Sequence, residues 1–99
     1  MNRTLLSAEQ AQDGLRRLAP GWSVAEKSLV RTVEFSSFLT AVRFITELAP
    51  VAERLDHHPD LGLSWRTVEL SLSTHSAGGL TALDLDLARE LDAIIDRLS

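Results

Sequence analysis

Cysteine is absent from this chain of 99 residues, so disulfides, thiolate metal sites and thiol nucleophiles are excluded. Long apolar runs are missing as well, because no segment approaches the roughly 20 consecutive apolar residues that span a bilayer. The first ten residues contain only two adjacent leucines, which is too short an apolar run for a signal peptide. We therefore expect a cytoplasmic protein without a membrane-spanning segment.

Basic residues are few: Lys and Arg total 10 against 14 Asp and Glu, and the formal net charge is -4. Non-specific electrostatic binding of nucleic acid needs clustered Lys and Arg, so we expect no direct nucleic-acid binding. Hydrophobic residues make up 44% and charged residues 24%, which is ordinary for a globular protein. The length indicates one domain, residues 1–99, with a single core.

The residues with acid-base chemistry are concentrated between Glu53 and Asp84, a stretch that contains all three histidines, His57, His58 and His75. Glu53 and His57 are four residues apart, so on a helix they would share one face. Pro59 disfavours the α conformation at His58, and the helix is therefore predicted to end at about His57. The two adjacent imidazoles should then point in different directions.

Downstream of these histidines, apolar and polar residues alternate and predict a strand over 68–74 whose polar face ends at His75. The adjacent glycines Gly78 and Gly79 then indicate a turn. Thr81 is predicted as the N-cap of the last helix, with Asp84 as its capping-box partner. Asp84 on its own could therefore be a helix-terminal carboxylate with no further role.

The remaining patterns predict a helix over 8–18, a hairpin of strands 22–24 and 29–35, a long helix from 36 to about 57 kinked at Pro50, a strand over 61–65 and a helix over 81–98. This order, α-β-β-α-β-β-α, predicts an α+β two-layer domain: a four-stranded antiparallel sheet with helices packed on one face. Its edge strands could pair with a second subunit.

Several side chains have more than one interpretation from the sequence. Arg31 lies among apolar strand residues, and we expect its stem to pack and its head to reach water. Trp22 and Trp65 could be core residues or walls for a planar ring. The three histidines and a carboxylate could bind zinc, but adjacent histidines rarely aim at one ion and the motif His-Glu-x-x-His is missing. We therefore expect no metal site.

The spacing of the whole stretch resembles the pterin-4a-carbinolamine dehydratases. The positions that carry the resemblance are Glu53, His57, His58, Pro59, Trp65, Leu72 to His75, Ala77 to Thr81 and Asp84. The resemblance implies a hydro-lyase that dehydrates 4a-hydroxytetrahydrobiopterin, or another 4a-hydroxytetrahydropterin, to the quinonoid dihydropterin. Such an enzyme would recycle the pterin cofactor of aromatic amino acid hydroxylases.

The same resemblance implies which residues would act. His57, His58 and His75 would share proton transfer, with Asp84 orienting a histidine, and no cofactor or metal would be required. The implied substrate contacts, in addition to the three histidines, are Glu53, Asp56, Ser73, Thr74, Ser76 and Trp22. Which histidine is the acid and which is the base is not decided by the pattern.

The resemblance also implies partners. Members of the family form homodimers or homotetramers, and a pterin-dependent hydroxylase would supply the substrate. An alternative function is a non-catalytic binding module, since family members also act as dimerisation cofactors of a homeodomain transcription factor or as assembly factors. Pro50, Leu61 and Arg66 depart from the family pattern and leave that alternative open.

Overall fold

The computed structural model describes residues 4–99; residues 1–3, which belong to the segment predicted not to be a signal peptide, lie outside the described residues. The predicted order α-β-β-α-β-β-α is confirmed. The elements are α1 Ala8–Arg16, β1 Ser23–Ala25, β2 Ser28–Glu34, α2 Phe38–Leu55, β3 Asp60–Ser64, β4 Thr67–Leu72 and α3 Ala82–Leu98, with a 3-10 turn at His75–Ala77 between β4 and α3.

The four strands form one antiparallel sheet in the order β1-β2-β4-β3. β4 is therefore a central strand, and its residues alternate between a buried face and a more exposed face, as the sequence predicts. The helices cover the buried face, and the apolar stripe of α3 packs there. The core between the two layers includes Leu29, Val33, Phe44, Val68, Leu70, Leu72, Leu87 and Leu91. The α+β two-layer prediction is thus confirmed.

The start of α3 agrees with its predicted capping box, and a second capping box begins α1. Ser7 and Gln10 form a capping box at α1, and Thr81 and Asp84 form one at α3. α1 ends at Arg16, two residues before the predicted end. Pro50 lies inside α2, which continues to Leu55, so the proline does not divide the helix, and the predicted kink stays a prediction.

The end of α2 differs from the prediction in a way that matters for the histidines. The helix ends at Leu55, and Asp56 adopts a left-handed conformation with φ 49°. The N–H of His57 donates to Ala52 O at 3.0 Å and that of Asp56 donates to Glu53 O at 3.2 Å, the pattern of a Schellman turn. The prediction that Glu53 and His57 share a helix face was wrong, because this turn comes before His57.

Arg31 does not place its head in water, and that expectation was also wrong. Its side chain is only 15% exposed, and its Nη1 lies 2.6 Å from Asp92 Oδ1. The same oxygen accepts from Trp22 Nε1 at 2.6 Å, while Asp92 Oδ2 accepts from Ala19 N at 2.9 Å. Asp92 was not singled out from the sequence, because its partners come from distant segments.

Trp65 is neither a strand residue nor a core residue. β3 ends at Ser64, and Trp65 lies in the turn to β4 with φ 53° and 70% exposure. The Arg66 guanidinium stacks on the indole, 4.6 Å from its centroid. The alternating pattern of leucines continued to Trp65 and masked the turn. The 96 residues from 4 to 99 contain no helix long and apolar enough to cross a membrane.

Candidate active site

A buried histidine and a buried aspartate meet at the junction of the two layers. The Schellman turn at the end of α2 directs His57 inward, and Nε2 of this ring lies 2.6 Å from Asp84 Oδ1. His57 is 6% exposed and Asp84 is fully buried. Because Asp84 belongs to the first turn of α3, the partial positive charge of the helix N-terminus also faces its carboxylate.

The second oxygen of Asp84 is held by two further donors. Thr74 Oγ1 donates to Oδ2 at 2.8 Å, and the backbone N–H of Thr81 donates to it at 2.9 Å. Thr74 and Thr81 are also bonded to each other through their hydroxyls at 2.8 Å. Both threonine side chains are buried, so Asp84 has a complete set of protein partners and no exposure to water.

The second histidine, His58, follows the same turn after α2 but lies at the protein surface. Its Nε2 lies 2.5 Å from Glu53 Oε2, one turn back on α2. Both side chains are more than half exposed, at 55% and 75%. The chain reversal at Asp56 therefore separates the adjacent imidazoles as predicted, one buried and one at the surface.

The third histidine, His75, opens the 3-10 turn that follows β4. Its Nε2 lies 3.7 Å from Asp60 Oδ2, and both side chains are exposed. Asp60 begins β3, only two residues after His58, and Thr74 immediately precedes His75 and bonds Asp84. The segment 57–60 therefore meets the segment after β4 at two places: His57 through Asp84 to Thr74, and Asp60 at His75. Asp60 was missed from the sequence, where its only signal is a carboxylate just after the histidine pair.

The three imidazoles are each paired with a different carboxylate. The pairs lie around the loop 56–59, which joins α2 to β3. Beside this loop, on the uncovered face of the sheet, lies an open cavity of about 330 Å³ lined by Asp60, Gly62, Glu69 and Ser71 among others. That volume is at the small end of ligand sites in proteins. Within residues 4–99, no group of three or more His, Asp or Glu side chains is placed to hold a metal ion.

The other predicted substrate contacts are less uniformly placed. Asp56 and Ser76 are exposed next to the histidines, and Ser73 is half-buried with its hydroxyl donating to Lys27 O at 2.8 Å. Trp22 is buried at 7% exposure and is bonded to Asp92, which lies two turns beyond Asp84 on α3, about 12 Å along the axis. The structure therefore does not bring Trp22 to the histidine cluster.

The fold and the cluster together define the class: a small two-layer α+β protein with a candidate histidine-carboxylate site at the open end of its β3–β4 hairpin. The sequence profile described as pterin 4 alpha carbinolamine dehydratase matches residues 4–94. The chain belongs to the pterin 4 alpha carbinolamine dehydratase family, which confirms the resemblance found in the sequence.

Individual relatives agree over nearly the whole chain. The chain is 47% identical to a Nocardia farcinica protein provisionally named as a pterin-4-alpha-carbinolamine dehydratase, over 95% of this chain and 98% of that protein. A similarly named protein of Rhodopseudomonas palustris is 46% identical over 95% of this chain and 94% of its own length.

Solved structures give the same fold. A Brucella melitensis protein described as a transcriptional coactivator/pterin dehydratase superposes with a TM-score of 0.89 and 35% identity, covering 93% of this chain and 99% of its own. A pterin dehydratase-like protein described as a RuBisCO assembly factor of the alpha-carboxysome gives a TM-score of 0.64 at 20% identity, over 76% of this chain and 89% of its own. That second likeness concerns the fold alone.

Proposed function

We propose that the chain dehydrates a 4a-hydroxytetrahydropterin, such as 4a-hydroxytetrahydrobiopterin, to the quinonoid dihydropterin. In this reaction the bond between C4a and the hydroxyl oxygen breaks, the oxygen takes a proton and leaves as water, and N5 gives up its proton. The balance needs one proton donor and one proton acceptor, and no redox partner. Acid-base side chains are therefore sufficient for the chemistry, and no cofactor or metal is part of the proposal.

The observation that carries this proposal is the set of three imidazoles around one loop, one of them held by a buried carboxylate. Histidine is the side chain that most readily gains and loses a proton near neutral pH. Positioned acid-base groups of this kind typically contribute about 10² to 10⁴ in rate. His57, fixed by Asp84, suits a defined proton-transfer geometry, while His58 and His75 are exposed enough to meet a substrate that enters from solvent.

The residues around the imidazoles would bind the pterin. In the proposal, Asp56, Ser73 and Ser76 contribute polar groups beside the ring, and Glu53 acts through His58, with which it is paired. In the proposal the backbone of the turn after β4 binds the ring edge, and what supports this is Asp60, which lines the open cavity and pairs with His75 in that turn. Trp22 is left out of the binding set, since its indole is buried against Asp92.

A direct assay tests the reaction. The 4a-hydroxytetrahydropterin is generated in situ by a pterin-dependent hydroxylase, and its disappearance is followed by ultraviolet absorbance. We expect the protein to accelerate this step, and His57→Ala or His75→Ala to lower the rate at least about tenfold, since each removes one positioned acid-base group. Gln12→Ala, an exposed change on α1, is the matched control and should keep the full rate.

The proposal fails if the folded wild-type protein gives no acceleration over buffer. A wild-type rate in both histidine variants would instead keep the reaction but remove these side chains from it. Because pterin cofactors are recycled where hydroxylases act, we place the reaction in the cytoplasm, with a hydroxylase as the source of substrate rather than as a bound subunit.

We also propose that the chain forms a homodimer or homotetramer. β3 is an edge strand that pairs only with β4 among the strands of residues 4–99, so its other edge can pair with a second copy. The first turns of α2 expose three apolar side chains on adjacent positions, at 54%, 77% and 36%: Phe38, Leu39 and Val42. A monomer would leave this apolar surface in water, and burying it between copies is favourable.

We expect Leu39→Glu to weaken self-association about tenfold or more, because it places a charge at the centre of that apolar surface. Light scattering coupled to gel filtration over a concentration series measures the change. Ala93→Glu, which adds the same charge at an exposed position of α3, is the control and should associate like the wild type. Unchanged association of the Leu39 variant would remove this surface from the interface.

A second candidate function is a protein-binding module of the same fold. The exposed apolar surface at the start of α2 favours a binding function, because Val42 lies about 20 Å along the helix from Leu55, the residue at which α2 ends before the histidines. This distance would allow binding and catalysis to be independent. A protein that fails the dehydratase assay but keeps this surface would be assigned to the second candidate.

A further inference from the structure

In each hydrogen bond around Asp84, the donor can be identified from the number of hydrogens that each group carries. An ionised carboxylate only accepts, so the single hydroxyl hydrogen of Thr74 must be given to Asp84 Oδ2 at 2.8 Å. Thr74 therefore has no hydrogen left for Thr81, and in the 2.8 Å contact between the two hydroxyls Thr81 is the donor. The hydroxyl oxygen of Thr81 in turn accepts from Leu83 N at 3.3 Å.

These bonds form a one-way chain from the N-terminus of α3 to the carboxylate: Leu83 N–H to Thr81, Thr81 O–H to Thr74, and Thr74 O–H to Asp84. Each donor polarises the next one, which strengthens the last bond of such a chain. Thr74 is 1% exposed and Thr81 fully buried, so water does not compete for these groups. These hydrogen bonds also join the segment after β4 to the first turn of α3.

The hydrogen-bond chain fixes which oxygen of Asp84 faces His57. Oδ2 is occupied by the Thr74 hydroxyl and the Thr81 N–H, so Oδ1 is the oxygen that faces His57 Nε2 at 2.6 Å. As a carboxylate oxygen it can only accept, and the neutral imidazole must therefore carry its proton on Nε2. The other ring nitrogen, Nδ1, then holds the lone pair that can take a proton.

We infer that Asp84 keeps the proton of His57 on Nε2, so that Nδ1 is the proton acceptor in the dehydration, and that Thr74 and Thr81 are positioning residues that hold the Asp84 carboxylate in place for this role. This inference rests on the proposed function for its catalytic consequence, but its tautomer is a property of the free protein. It also changes the role given to Thr74 from the sequence. Its side chain is buried behind Asp84 and acts through the carboxylate rather than on the pterin.

The test compares Thr74→Val, which keeps the shape and removes the hydroxyl, with Thr74→Ser, which keeps the hydroxyl. For Thr74→Val we expect kcat to fall about tenfold, the effect of losing one hydrogen bond to a charged group, and KM to stay unchanged. Thr74→Ser should stay close to the wild-type kcat. Long-range ¹H–¹⁵N correlation spectra of the imidazoles should show the Nε2–H tautomer of His57 in the wild type and in both variants, because either oxygen of Asp84 can only accept.

The two readouts separate this inference from the proposed function. A wild type without dehydratase activity would overturn the proposed function, and the spectra would still decide whether His57 has the tautomer that the inference requires. An Nδ1–H tautomer in the wild type, or equal losses in the valine and serine variants, would overturn the inference. If Thr74→Val does not fold, Thr74→Cys carries the same comparison, because the thiol is a much weaker donor of nearly the same size.

Discussion

Replacing Asp84 with asparagine is expected to lower kcat for the dehydration at least about 100-fold while the fold is retained. The amide has the same shape as the carboxylate, so the packing around this fully buried side chain is kept. The charge is lost, and one of the two oxygens becomes an NH₂ group that can only donate. The change therefore acts on the electrostatics and the hydrogen-bond direction at His57.

The direction of the amide is set by the surrounding donors. The hydroxyl of Thr74 and the N–H of Thr81 both point at the Oδ2 position, so the amide oxygen must take that place. The NH₂ group then faces His57 Nε2, which has to accept, and the imidazole proton moves to Nδ1. His57 would present a donor where the reaction requires an acceptor. In the serine protease triad the equivalent asparagine change produces the wrong tautomer and a loss of about 10⁴ in kcat.

The measurements are steady-state kinetics and the imidazole ¹H–¹⁵N spectra, with circular dichroism as the check of folding. Asp96→Asn is the control, because Asp96 is an exposed aspartate on the same helix. It should leave both the rate and the spectra unchanged. A kcat close to the wild-type value together with a switched tautomer would show that His57 does not transfer the proton, and His58 and His75 would remain as the candidates.

Replacing Asp92 with alanine is expected to reduce the free energy of unfolding by about 3 kcal/mol, the usual cost of leaving one member of a buried ion pair alone. Arg31 is 15% exposed and would lose its only carboxylate partner among residues 4–99. The indole N–H of Trp22 and the backbone N–H of Ala19 would lose their acceptor as well. A loss of this size is large against the total of about 5 to 15 kcal/mol that stabilises most proteins.

Urea denaturation of the wild type and the variant measures this change, and Asp96→Ala, an exposed change on the same helix, is the control. Replacing both charges, as Arg31→Leu with Asp92→Leu, should restore much of the lost stability, because no unpaired buried charge remains. A cost below about 1 kcal/mol for Asp92→Ala would place this pair with ordinary surface ion pairs, which contribute little.

The order of the elements and the fold class could be predicted from the sequence because they depend on local information. Period-two alternation defines β4, a helical apolar stripe defines α3, and the capping boxes at Ser7 and Thr81 set where helices begin. The candidate site could be placed for the same reason, since the histidines and Asp84 lie within one stretch, from Glu53 to Asp84.

The end of α2 shows where local patterns were insufficient. Pro59 indicated that the helix ends near the histidines, but a left-handed turn at a non-glycine residue, Asp56, has only a weak sequence signal. Because of that turn, Glu53 pairs with His58 and does not share a helix face with His57. Trp65 shows the same limit, because an alternating pattern does not indicate at which residue a strand gives way to a turn.

The sequence by itself determined the layers, their order, the family and the stretch that contains the candidate site, because periodicity, capping and spacing act over a few residues. The tertiary structure alone decided which distant partners the buried charged groups have. Asp84 meets His57 27 residues away, and Arg31 and Trp22 meet Asp92 across 61 and 70 residues. Such pairs form only when the sheet and the helices pack, since burial removes water as an alternative partner and makes each polar group find one within the protein.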